Sequence, residues 1–377
     1  MNEDGGVYIH IPFCASKCAY CDFLSFETEV RRGGKWPHVI QEQYVQALLA
    51  EIRQHDFLDA IIDTVYIGGG TPTTLPSPLL CEVLRQIQGL NLATDAEITL
   101  EMNPCTDVAL SEYKAHGVNR LSIGLQAWQW DLLEKIKRSH TAESFPQIIN
   151  DARVARFDNI NIDLMFALPG QTMRNWRESI SQVIELNPEH ISTYSLTPAE
   201  GTPLWDWIEA GEITLPDEAL DRAMYHEAIS MLTAAGYKHY EISNFAKPGR
   251  ESRHNVGCWR RKHYKGFGLG AHSFDGVCRW RNTRNMEWYI NGYGLRKDID
   301  VLTEGDAMAE TMFLGLRMAI GVSKQEFYDA FGTTIAYIYG PKINKLIGKG
   351  LIVDTGDRIA LTPRGLDFAN QVFEVFL

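Results

Sequence analysis

The run Tyr8-Ile-His-Ile-Pro-Phe-Cys-Ala-Ser-Lys-Cys-Ala-Tyr-Cys21 decides how the rest of the chain is read. Val7 to Phe13 is apolar enough for a strand, and Cys14, Cys18 and Cys21 follow within one short loop at the spacing C-x3-C-x2-C. A cubane iron–sulfur cluster normally takes four ligands, so three thiolates leave one iron open to something that is not protein. An open iron on a loop directly after a strand points to chemistry rather than electron storage. Two other readings of the same residues stay open: a zinc site with His10 as fourth ligand, or a fortuitous grouping of cysteines.

Outward from this loop, strand-like and helix-like runs alternate. Strands are expected at 7–13, 63–67, 97–101, 120–126, 160–166 and 190–196, with helices at 40–56, from 77, at 107–116, 131–138, 143–156, 173–186 and 220–235. A series of β–α units predicts parallel strands, and right-handed crossovers coil them toward a barrel. About eight units close a complete barrel; this shorter series predicts an α/β fold with a partial, TIM-like (β/α)6 barrel. The expected divisions are 1–235 for the barrel, 236–299 for a connecting segment rich in Gly, Arg, His and aromatics, and 300–377 for a small winged-helix-like α+β module. In that module, the run from Gly350 to Gly365 has the strand–turn–strand pattern of a wing.

Composition narrows the function classes. The chain has 377 residues, 45% hydrophobic and 22% charged, as in ordinary globular proteins. With 36 basic against 48 acidic residues the net charge is -12, which argues against a general nucleic-acid surface. No run approaches the roughly 18 continuous apolar residues of a membrane span, and the first residues, Met-Asn-Glu-Asp-Gly-Gly, carry no apolar secretory segment. Seven cysteines, an odd number, favour metal ligation over a disulfide framework, and the cytoplasm is the expected location.

Further candidates lie at predicted strand ends. Gly68-Gly69-Gly70-Thr71-Pro72 follows a strand and lets backbone approach a ligand closely, although a tight turn explains the same glycines. It has neither the dinucleotide fingerprint nor the P-loop lysine. Glu101 is either a solvated carboxylate or an acceptor for an ammonium or ribose hydroxyl. Arg138 suits a carboxylate through a bidentate pair, Asp163 suits ribose hydroxyls, and Gln126 and Ser195 fall on the same rim.

The cysteine spacing, with the aromatic Tyr20 just before the third Cys, resembles the radical S-adenosylmethionine (SAM) superfamily. The resemblance implies a [4Fe–4S] cluster on Cys14, Cys18 and Cys21, whose open iron chelates the amino and carboxylate groups of SAM. A reduced cluster then cleaves the sulfonium to a deoxyadenosyl radical, while the protein places the cofactor and excludes water and oxygen. It also implies a partial barrel. Over the whole chain, Tyr8-Ile-His-Ile-Pro-Phe-Cys, Gly68-Gly-Gly-Thr-Pro, Glu101-x-Asn-Pro, Asp163-Leu-Met-x-x-Leu-Pro-Gly and Tyr240-Glu-Ile-Ser-Asn-Phe-Ala-x-Pro-Gly resemble oxygen-independent coproporphyrinogen III oxidase and its heme-chaperone relatives. That subfamily implies SAM contacts at Tyr8, Tyr20, Gly69, Gly70, Thr71, Glu101, Gln126, Arg138 and Asp163. No catalytic residue is assigned.

Departures from the oxidase pattern point to the chaperone branch. The oxidase has a fourth cysteine where this chain has Phe23, and a long segment before its cysteines, whereas 13 residues precede Cys14 here. The chaperone branch carries a heme-linked His-Asn-x-x-Tyr-Trp motif; this chain reads His254-Asn-Val-Gly-Cys258-Trp259. His254 and Cys258 are therefore candidate heme ligands, against the plainer readings of a satisfied histidine and a buried core thiol. Trp259, Tyr264 and Trp280 either line a porphyrin face or pack the core. The run Gly266-x-Gly268-x-Gly270-Ala-His272-Ser is expected to be a loop against the cofactor cavity. The resemblance implies SAM and a [4Fe–4S] cluster as cofactors, heme as cargo, and delivery to a heme-accepting protein. The rival is a radical-SAM enzyme that modifies a tetrapyrrole, and a DNA-binding regulator built on the winged module ranks third.

Overall fold

A computed structural model describes residues 5–28, 38–54, 61–104, 108–138, 140–141 and 144–377. Cys105, the expected element ends at Asp56, Asp107 and Glu143, and the N-terminal run before Gly5 lie outside these residues. Six strands in the first two-thirds are β1 (Gly5–Ile11), β2 (Ile62–Gly69), β3 (Leu92–Met102), β4 (Arg120–Gln126), β5 (Ile160–Phe166) and β6 (His190–Ser195). They pair in this order, all parallel, as the α/β partial barrel requires. The first ends at Ile11 rather than Phe13; Pro12 interrupts it, and Phe13–Cys14 pairs instead with Phe26–Glu27 across the cysteine loop.

Alternation along each strand sorts the chemistry. In β4, Leu121, Ile123 and Leu125 are fully buried against the outer helices, while Arg120, Ser122, Gly124 and Gln126 share the other face. Neighbouring strands add Glu101 opposite Ser122 and Asp163 opposite Gly124, so the lumen is polar although its wall is not. Outside, Val65, Leu100, Leu121 and Ile162 are fully or almost fully buried in the main core with helix residues Leu48, Leu84, Ile149 and Trp176. Each such side chain contributes about 1.5–3 kcal/mol of burial, and this shell is what holds the polar lumen rigid. Helix starts follow the sequence: Thr172 caps Met173–Leu186 in a box with Asn175, and Asp217 caps Glu218–Ala234.

Residues 236–299 extend the same sheet at both ends. β7 (Lys238–Glu241) and β8 (Asn244–Ala246) form a hairpin beside β6. The chain then crosses the barrel's amino end, and β9 (Tyr264–Phe267) pairs parallel to β1. From there β10 (His272–Phe274), β11 (Cys278–Arg281) and β12 (Lys297–Val301) run out antiparallel. The described sheet has 12 strands and stays open, with β12 and β7 at its edges. The last residues carry helices Glu304–Gly315, Lys324–Phe331 and Ile335–Gly348 around their own core, with a wing hairpin of Ile352–Asp354 and Arg358–Leu361.

Candidate functional site

The cysteine loop is pinned at its centre. Ala19 is fully buried among Leu132, Leu133, Ile136, Met165 and Leu204, its N–H donates to Ile136 O (3.0 Å), and its carbonyl accepts from Leu204 N (2.9 Å). Around that anchor Cys14, Cys18 and Cys21 line one cavity of about 140 Å³ with Tyr20, Gly69, Gly70, Thr71, Glu101, Gln126, Arg138 and Asp163. Eleven residues expected from the sequence as cluster or cofactor contacts thus meet at the carboxyl end of the strands, where parallel α/β folds collect ligands. Tyr8 lies beside it, in an adjoining cavity that shares Phe23, Gly69 and Glu101.

A hydrogen-bonded chain ties two of the three sulfurs to the barrel. Thr71 Oγ1 donates to Cys14 Sγ (3.7 Å), and Asn103 Nδ2 donates to Thr71 Oγ1 (3.0 Å). Asn103 Oδ1 accepts from Arg138 Nη1 (2.9 Å), and the same nitrogen reaches Cys18 Sγ at 3.5 Å. Arg138 Nη2 also donates to Gly124 O. Burial pushes the Cys14 and Cys21 thiols up, a cost that a bound metal removes by taking the thiolate. The site also holds buried polar atoms without a partner among the described residues, Gln126 Oε1 and Arg138 Nε. An orphaned acceptor and an orphaned donor in one cavity fit a polar ligand such as SAM.

The glycine turn has two separate requirements. Gly69 adopts φ +109°, and a Cβ there lies 2.5 Å from His10 Cε1, so neither conformation nor space admits a side chain. At Gly68 a Cβ meets the Glu101 carboxyl, which lies against the turn. Glu101 accepts from Tyr66 OH (2.6 Å) and from Gly69 N (3.2 Å). Burial, with a smaller contribution from Asp163, pushes its pKa up to about 7 against the opposing effect of the Tyr66 hydrogen bond. Asp163 accepts from Asn161 Nδ2 (2.8 Å) and is likewise pushed up by burial.

His10 is not available to the cysteines. Its Nε2 lies 2.8 Å from the Leu24 carbonyl, which only accepts, so Nε2 carries the proton and Nδ1 takes the Tyr8 hydroxyl at 2.9 Å. Burial lowers the His10 pKa and keeps the ring neutral. This geometry argues against the zinc reading with His10 as fourth ligand.

The pair expected as heme ligands lies elsewhere. His254 and Cys258 sit on the helix Arg253–Trp259 at the amino end of the barrel, its first turn bonded to Glu97 through the N–H groups of Arg253 and His254 (3.1 Å each). The His254 ring stacks on Tyr66 at 5.3 Å, with Nδ1 3.0 Å from Thr64 Oγ1. Thr64 and Gly69 are separated by roughly 16 Å of strand at about 3.3 Å per residue. Burial lowers the His254 pKa to about 4 and raises the Cys258 thiol to about 11. The void beside them is about 10 Å³, which holds no porphyrin. Ser195 ends its strand at the expected rim, but its hydroxyl turns away from the cysteine cavity and bonds Asp221 in a different one. Trp259 packs against Tyr240 and Met318, and Trp280 is buried between Lys265 and Arg296. Tyr264 alone of the three aromatics faces the cavity beside the glycine turn.

Sequence reasoning missed Asn103, Tyr66 and the Tyr44–Glu51 pair. Asn103 lies within the quoted Glu101-x-Asn-Pro run, and that was its signal. Tyr66 gives none beyond its place on a lumen-facing strand position. Tyr44 OH reaches His10 O at 2.5 Å and accepts from Leu269 N, while Glu51 accepts from Gly268 N (2.9 Å), Asn282 and Tyr289 (2.7 Å each). These bonds clamp the turn at residues 268–271 against β1; the rest of the expected loop is strand, Gly266 lying in β9 and His272 in β10.

A model of the radical SAM superfamily matches residues 8–183, the stretch that carries the cysteine loop, the glycine turn and β1 to β5, and the HemN C-terminal domain matches residues 302–368. A solved structure of coproporphyrinogen III oxidase (HemN) from Escherichia coli, described as a radical SAM enzyme, superposes at a TM-score of 0.84 over 100% of this chain and 91% of that one; at 24% identity this is a likeness of fold. The chain is a radical SAM protein. Heme chaperone HemW of Bacillus subtilis is 37% identical over 98% of both chains, and that of Escherichia coli K12 is 34% identical over 98% of this chain and 97% of its own. The chain belongs to the HemW family.

Proposed function

We propose that this protein is a SAM-binding heme chaperone, which holds a [4Fe–4S] cluster on Cys14, Cys18 and Cys21 and passes heme to an acceptor protein in the cytoplasm. The observation that carries it is full-length similarity to heme chaperones in a chain whose three cysteines share one cavity with the glycine turn. When bound, the cluster supplies an electron and an open iron for SAM. The residues around it bind, orient and shield. Thr71 and Arg138 hydrogen-bond the sulfurs of Cys14 and Cys18, which steadies the ligands and tunes their basicity. Gln126 Oε1, Glu101 and Asp163 are acceptors for the amino and ribose donors of SAM, with Gly69, Gly70 and Thr71 lying against it and Tyr8 and Tyr20 walling it from water. Among the described residues no helix is long and apolar enough to cross a membrane.

Glu101 makes SAM binding pH-dependent. Its carboxyl, facing Tyr66, Asp163 and Arg120, keeps a proton up to about pH 7 in the ligand-free protein. A protonated carboxyl loses acceptor capacity, so SAM affinity falls as pH drops through 7, by about tenfold from pH 8 to 6. Calorimetry of the reconstituted protein across this range checks it, and Glu101→Gln flattens the profile. A Glu101→Gln profile as steep as wild type means that another group titrates.

Heme-loaded, anaerobically reconstituted protein mixed with an apo heme protein tests the chaperone reading. Stoichiometric heme transfer without SAM consumption is expected. Coproporphyrinogen III under the same reducing conditions is expected to remain unconverted, because Phe23, 65% exposed at the mouth of the site, offers no fourth thiol. Formation of protoporphyrinogen IX with release of deoxyadenosine establishes the tetrapyrrole-modifying enzyme instead.

A further inference from the structure

We propose that the iron porphyrin binds in the cavity beside the cluster site, with His272 as an axial ligand to its iron and Arg281 and Arg284 paired with its propionates. This rests on the heme reading above. The cavity measures about 390 Å³, within the usual range for small-molecule sites, and adjoins the cysteine cavity through Phe23, Gly69 and Glu101. A flat ligand seated there presents one edge to the cluster and SAM and the other to solvent, which a cargo must reach to leave.

Three observations select the residues. Of the two histidines lining the cavity, His10 has both ring nitrogens committed to Tyr8 and Leu24, so the imidazole a ligand meets is that of exposed His272. Partial burial and the neighbouring Arg281, Arg279 and Arg284 lower the His272 pKa, with Asp298 opposing them, and a neutral imidazole is the form that ligates iron. His272 and Arg281 are directly opposed residues of β10 and β11, so their side chains stand on one face of the sheet. Arg281 is held by Asp298 in an exposed ion pair, and such a pair contributes little and exchanges readily for another carboxylate. Arg284 is exposed at the rim near Gly270. Two guanidinium groups match two propionates, each able to make a bidentate pair. Tyr264 supplies an aromatic wall. The amino end of the barrel, where His254 and Cys258 lie, has a void of about 10 Å³ and lacks this combination.

Heme titration of cluster-loaded protein, followed by the Soret band and by heme retained through gel filtration, tests the assignment. His272→Ala is expected to lose the histidine-ligand spectrum and retain at least about tenfold less heme, and added imidazole restores the spectrum. Arg281→Gln with Arg284→Gln is expected to weaken heme retention while leaving the affinity for heme dimethyl ester, which has no free carboxylates, unchanged. Iron and sulfide content reports whether each variant is intact. Should His272→Ala fail to fold, equal affinity of the wild type for heme and its dimethyl ester overturns the propionate sites. An intact His272→Ala protein with an unaltered Soret band overturns the axial ligand, as does loss of that band in His254→Ala or Cys258→Ser alone. Wild-type protein that binds no heme refutes the chaperone reading itself, a result separate from any of these.

Discussion

Replacing any one of Cys14, Cys18 and Cys21 by alanine leaves a folded protein that retains almost no iron or sulfide after anaerobic reconstitution. The barrel persists because its core lies on the far side of the strands, in Val65, Leu100, Leu121 and Ile162, and Ala19 anchors the loop independently of metal. The cluster does not persist, because with two thiolates half its irons lack a protein ligand. Cys81, on the helix Ser77–Gln88 away from the cysteine loop and within 3.9 Å of Ser77 Oγ, tolerates the same change. Iron and sulfide analysis with the visible absorption spectrum is the check. One intact variant with full iron and sulfide content removes that cysteine from the ligand set.

Arg138→Met is expected to weaken SAM binding by about 100-fold while sparing much of the iron. The guanidinium spans Cys18, Asn103 and Gly124, while its buried Nε has no partner among the described residues and faces the cavity that SAM would fill. At about 1.5–3 kcal/mol for each hydrogen bond to a charged group, one such bond from Nε to SAM accounts for a change of this size. Arg138→Lys does not rescue, because one ammonium on a flexible stem cannot meet the three acceptors that the planar fork reaches. Calorimetry on the reconstituted variants measures the loss. Wild-type affinity in Arg138→Met removes the arginine from the cofactor site and leaves it as support for the cysteine loop.

Some of this architecture is legible in the chain because the controlling interactions are local. Ligand spacing needs no tertiary information, so the cysteine loop stands out directly. Period-two alternation in Arg120–Gln126 is set by the strand itself, and it already sorts Ser122 and Gly124 from Leu121 and Ile123. The glycine turn is read from residue type, because positive φ at Gly69 is a property of one residue. The ends of the strands then follow, and with them the convergence of Glu101, Gln126 and Asp163.

The remainder was decided by contacts between distant parts of the chain. Tyr264–Phe267 pairs with β1 across more than half the sequence, and neither partner carries a mark of the other; hydrogen-bond register is a joint property of two strands. That pairing brings Tyr264 and His272 beside the glycine turn and makes the second cavity. The helix with His254 and Cys258 is locally the same whichever end of the barrel it meets, and the Glu97 carboxylate on its first turn selects the amino end. Sequence alone determined the three-cysteine loop, the parallel strands and the family resemblance. Only the tertiary structure decided which histidine faces a cavity, because whether a ring nitrogen is free or committed depends on partners such as Leu24 and Thr64 that other segments supply.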